Sequence, residues 1–139
     1  MATIRKEVLI EARPETVWDA VRDVGALHTR LVPGFATDVR MEDGVRVVTF
    51  ANGQVAREVI ISIDDKARRL AWTIVGGRMT HHNGSAQVFS EGPGRSRFVW
   101  TTDLLPDAMA PAIDEMMGQA MPIIKRTVER AEREGQERA

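Results

Sequence analysis

Three histidines, an Arg57-Glu58 pair inside an apolar stretch, and Asp103 near the end of an aromatic one are the side chains of this 139-residue chain placed where chemistry could be done. His28, His81 and His82 carry the side chains that titrate near neutrality without perturbation. His81 and His82 do not make a metal pair. Adjacent strand residues face opposite sides, and the chain offers few further ligands beyond carboxylates, so no metal and no cofactor are expected. The parity His82, Gly84, Ala86, Val88 carries apolar residues, although Phe89 lies on the other, and this points His82 inward. There it could hydrogen-bond a carbonyl or act as general acid or base, whereas an outward histidine is simply solvated.

Arg57 shares its parity with Val55, Val59, Ile61 and Ile63 and is expected on the concave side, as a clamp for a carboxylate or enolate oxygen. The alternative is that Arg57 and Glu58 form surface ion pairs at an edge. His82 and Arg57 are thus the catalytic candidates. His28 lies beside Leu27 and Leu31, close to Pro33-Gly34, and is either a gate residue or a surface one.

The absence of cysteine removes disulfides, thiolate metal sites and cysteine nucleophiles. Ser62, Ser85, Ser90 and Ser96 have no triad context, and GxGxxG after a strand, GxxxxGK[ST], GxSxG and HExxH do not occur. Trp72 alternates with Leu70 and Ile74, and Trp100 with Phe98 and Leu104, so both indoles are expected inward with N–H groups that need acceptors. Asp103 has the opposite parity to Trp100 and reads as a solvated carboxylate.

These residues must be positioned by a meander of strands. Residues 3–12 alternate, Pro14-Glu15 opens a short helix, and a second short helix spans about residues 26–32. Strands follow at 35–42, 45–51, 54–63, 69–75, 82–91 and 95–105, with Asp43-Gly44 and Asn52-Gly53 as two-residue hairpin turns. From Asp107 to about Glu134 one helix carries the stripe Ile113, Met117, Ala120, Ile124, Val128, and Pro122 is expected to bend it near Gly118. Met109, Met116, Met117 and Met121 fall in its first half, where flexible side chains serve either an adaptable pocket wall or ordinary core filling. The end ERAEREGQERA reads as a solvated terminus that frays.

The length fits one domain, residues 1–139. With 19 basic against 20 acidic residues, the attraction that drives phosphate-backbone binding is missing, and nucleic acid is not an expected partner. The start MATIRKEVLIEA lacks a signal core and no apolar run reaches the roughly 20 residues of a membrane span, so a cytoplasmic protein is expected.

The segments EVLIEARPETVWDAVRDV, AREVIISIDDKARRLAWTIVGG and FVWTTDLLPDAMAPAIDEMMGQAMPIIKRTVER resemble the START-like SRPBCC superfamily, in particular its polyketide cyclase/dehydrase and lipid-transport branch, over nearly the whole chain. The resemblance implies an α+β helix-grip fold, a seven-stranded antiparallel curved sheet around a long C-terminal helix with two short helices after the first strand, and a ligand cavity between. It transfers no catalytic motif. Members bind lipids, hormones, polyketides or quinones, some cyclise or dehydrate substrates, and others bind proteins. The expected ligand is therefore a hydrophobic or aromatic small molecule. Its lining would be His28, Arg57, Trp72, His82, Phe98 and Trp100, with Met109, Ile113, Met116, Met117 and Met121 from the helix. A cyclase/dehydratase using the same cavity and an interaction module, including a homodimer, are the alternatives.

Overall fold

The computed structural model describes residues 1–138. Strand β1 (Ala2–Ile10) leads into helix α1 (Pro14–Arg22), a 3-10 turn at Val24–Ala26 and helix α2 (Leu27–Arg30). Six strands follow, β2 (Ala36–Glu42), β3 (Val45–Phe50), β4 (Val55–Asp64), β5 (Arg69–Val75), β6 (His81–Ser90) and β7 (Ser96–Leu105). A second 3-10 turn (Asp107–Met109) precedes helix α3 (Ala110–Arg138). Met109 therefore stands just before the long helix rather than within it.

The strands form one antiparallel seven-stranded sheet in the order β1-β7-β6-β5-β4-β3-β2, so α1 and α2 carry the chain from one sheet edge to the other. This is the helix-grip arrangement. Asp43 and Gly44 both take positive φ, 47° and 79°, as a two-residue hairpin matched to strand twist requires. Asn52-Gly53 differs from the expectation. Only Gly53 is left-handed, at 87°, and the Phe50 N–H donates to the Gln54 carbonyl around a three-residue connection at 51–53.

Helix α3 lies along β1, and polar tethers run down that seam. Lys6 binds Asp114, Lys125 donates to the Leu9 carbonyl at 2.9 Å, and Glu129 accepts from the Glu11 N–H at 2.8 Å. Glu132 is buried and accepts from the Arg13 backbone N–H, the Arg13 guanidinium and the Thr16 hydroxyl. These bonds serve the start of α1, where Arg13 makes no side-chain cap. The end read as fraying is thus anchored as far as Glu132. Pro122 sits inside an uninterrupted α3 on its exposed face, as does Gly118, whose carbonyl the proline cannot serve as a donor.

Candidate functional site

The strand register sets which side chains share the concave face. Across the sheet Ile60 stands opposite Trp72, Trp72 opposite Gly84, Gly84 opposite Thr102, and Thr102 opposite Ile4. One step along, Met41 faces Arg46, Arg46 faces Glu58 and Glu58 faces Ile74, while His82 faces Leu104. Gly84 makes room for an aromatic ring, since a β-carbon there would lie 2.4 Å from Cε2 of Trp72.

Arg46 and Glu58 are both buried and form an ion pair with Nε to Oε1 at 2.8 Å. The Arg46 guanidinium also lies 5.7 Å from the Trp72 ring centroid and donates to the Val24 carbonyl at 3.4 Å, linking the pair to the segment between β1 and β2. Burial pushes the Glu58 carboxyl above the usual carboxylate range, and the charge and hydrogen bond of Arg46 oppose that shift.

Trp100 Nε1, Thr102 Oγ1, His82 Nδ1 and His28 Nδ1 are buried and have no hydrogen-bond partner among the described residues. By contrast, Trp18 donates to Asp65 at 2.9 Å. Burial holds His82 below the usual histidine pKa, helped by its neighbour His81, so its imidazole is neutral at pH 7. The backbone of His82 is fixed by Thr73, whose hydroxyl donates to the His82 carbonyl at 2.7 Å. His28 stands apart on α2, which packs against β2.

Around these groups the lining is apolar. Phe98, Trp72 and Met121 belong to the main core, against which Ile60, Ile74 and Trp100 pack while only partly buried. Ile4, Leu104 and Met117 form a satellite core, with Met79, Trp100, Met109, Ile113 and Met116 partly buried against it. Two surface clefts lie elsewhere. One of about 500 Å³ runs between α1, α2 and the C-terminal half of α3, and one of about 260 Å³ lies on the convex face beside Asn83, Ser85 and Asp103. Asp103 is on that outer face, where it accepts from the Thr3 hydroxyl at 2.6 Å. Among the described residues no group of three or more His, Cys, Asp or Glu could hold a metal ion.

The placement expected for Arg57 is corrected. Arg57 is exposed on the convex face and pairs with Glu42 at 3.2 Å, as in the surface-ion-pair alternative, while Glu58 turns inward. The apolar parity count failed because the apolar residues that share Arg57's parity ahead of the β4–β5 register shift lie on the convex face with it, and the shift between Ile60 and Ser62 turns only Ile63 to the other face, opposite Leu70. Val55 and Ile61, used in that count, are 59% and 57% exposed. Sequence reasoning also passed over Arg46, which alternates with Val48 along β3, and over Gly84 as the seat of Trp72. Thr102 was legible as the residue between the inward Trp100 and Leu104.

A seven-stranded antiparallel sheet closed by a C-terminal helix, with an apolar concave face carrying a few buried polar groups, defines a helix-grip protein. The chain belongs to the polyketide cyclase / dehydrase and lipid transport family, whose model matches residues 1–134. No curated protein matches it in sequence. Among solved structures it is similar to the di-domain ARO/CYC BexL from the BE-7585A biosynthetic pathway, with 18% identity and a TM-score of 0.80 over 93% of this chain and 47% of that one. It is also similar to norcoclaurine synthase from Thalictrum flavum in complex with dopamine and hydroxybenzaldehyde, with 17% identity and a TM-score of 0.72 over 94% and 85%. A START superfamily protein from Mycobacterium smegmatis matches with 13% identity and a TM-score of 0.70 over 95% and 97%. At these identities the likeness is one of fold. No helix among the described residues is long and apolar enough to cross a membrane.

Proposed function

We propose that the chain acts as one cytoplasmic ligand-binding domain that holds a hydrophobic or aromatic small molecule between the concave sheet face and the first half of α3. The observation that carries this reading is the state of the inward-facing apolar side chains. Ile60, Ile74, Trp100, Ile113 and Met116 face or pack on the core yet stay partly accessible, an apolar surface that a guest can cover at about 25 cal/mol per Å². Rotation of the flexible methionines along α3 supplies room. Native mass spectrometry of the protein purified from its own host, followed by denaturing extraction, tests the reading. A stoichiometric apolar organic molecule is the expected result. An empty protein that also binds no aromatic probe would count decisively against it.

A second reading, a cyclase/dehydratase-type enzyme, draws support from His82, a buried neutral imidazole with a free Nδ1 on the same face. The ARO/CYC and norcoclaurine synthase folds noted above show that such a scaffold hosts enzymes. Loss of turnover in His82→Gln with ligand binding retained favours this reading over simple binding.

A further inference from the structure

Trp100, Thr102 and His82 sit together by register. Trp100 and Thr102 are alternate residues on one face of β7, about 7 Å apart, and His82 lies diagonally across from Thr102 on β6, beside Gly84. A buried polar atom without a partner is costly, so three on one patch mark a place where a partner binds. Their chemistry limits that partner. The indole N–H only donates, the threonine hydroxyl donates or accepts, and a neutral imidazole nitrogen does one or the other according to tautomer. None of the three is charged. The charges on the same face are already neutralised, Lys6 by Asp114 and Arg46 by Glu58. A ligand carboxylate or ammonium placed here would be buried without a counter-charge, and a plain hydrocarbon would leave all three atoms unpaired.

We propose that Trp100 Nε1–H, Thr102 Oγ1 and His82 Nδ1 form the polar end of the groove and bind the uncharged oxygen, a ketone, quinone or hydroxyl oxygen, of an otherwise apolar ligand. The assignment rests on the ligand-binding reading above. The satellite core of Ile4, Leu104 and Met117, with Met79, Met109 and Met116 around Trp100, supplies the apolar surroundings that strengthen such hydrogen bonds.

The test compares three bicyclic probes by isothermal titration calorimetry: 2-acetylnaphthalene, 2-ethylnaphthalene and 2-naphthoate. The ketone is expected to bind about tenfold more tightly than either of the others, the yield of one or two net hydrogen bonds. It is also expected to move the indole N–H resonance of Trp100. In Trp100→Phe and in Thr102→Val, each confirmed folded by circular dichroism, the preference of ketone over hydrocarbon should fall to about one. Equal binding of ketone and hydrocarbon to the native protein, tightest binding of 2-naphthoate, or an undiminished ketone preference in both variants overturns the inference while leaving the groove reading intact. Binding of none of the three probes overturns the inference and the groove reading together.

Discussion

The ring of Trp72 occupies the place where a side chain at Gly84 would stand, with three ring atoms within 2.7 Å of the missing β-carbon. The two residues are register partners on β5 and β6, so the tryptophan lies across its neighbour instead of rising from the sheet. Replacing glycine by alanine in a strand ordinarily stabilises by about 0.5–1 kcal/mol through lost chain freedom in the unfolded state. Here the clash should win. Gly84→Ala is expected to lower stability by about 1–3 kcal/mol and to change the near-ultraviolet dichroism of the tryptophans. A urea midpoint equal to or above that of the native protein would sink this account of Gly84.

Arg46 and Glu58 offer a second test because both are buried and each is the other's ion-pair partner. Removing one leaves the other uncompensated in the core. Glu58→Leu or Arg46→Met alone should therefore cost about 3–5 kcal/mol, while the double variant should recover most of the loss. Additive losses in a denaturation double-mutant cycle would show that the pair is not energetically coupled.

His82 sets a pH dependence whose sign follows from its lowered pKa. The folded state resists protonation and the unfolded state accepts a proton near pH 6.5, so the contribution to stability is fully present above that pH and is lost as pH falls toward the folded value. His81, adjacent on β6, pushes in the same direction when charged. The native protein should lose more stability than His82→Gln between pH 7 and pH 5. Parallel stability curves for the two proteins would remove His82 as the cause.

The fold was readable because each level of the sequence agreed with the next. Alternation marked the strands, Asp43-Gly44 pinned one hairpin, and the stripe through Met117, Ile124 and Val128 marked the buried side of α3. The site was only partly readable. Inward placement of His82 and Trp72 followed from strand parity, and both are buried. Parity misled at Arg57 because exposed Val55 and Ile61 on its own side of β4 mimic a core face, and the bulge after Ile60, which cannot be seen in a pattern of valines and isoleucines, let Ile63 be counted with them. The anchoring of Glu132 was hidden for a different reason. Its partners at Arg13 and Thr16 lie more than a hundred residues earlier, and nothing local distinguishes it from the solvated glutamates around it.

The two faces of the sheet make opposite predictions for ligand binding, and one pair of variants separates them. Met116 on α3 is partly accessible beside Trp100, Ile113 and Met109, whereas Arg57 is on the convex face with Glu42. Met117 is unsuited to this test, since it is fully buried between Ile4 and Leu104 and a charge there would report on folding. A carboxylate at position 116 would oppose entry of an apolar guest at little cost to the core. Met116→Glu is therefore expected to weaken 2-acetylnaphthalene binding by at least about tenfold with a nearly native Tm, and Arg57→Ala to leave that affinity unchanged. The reverse pattern, loss in Arg57→Ala with binding retained in Met116→Glu, would move the site to the convex face and reject the groove.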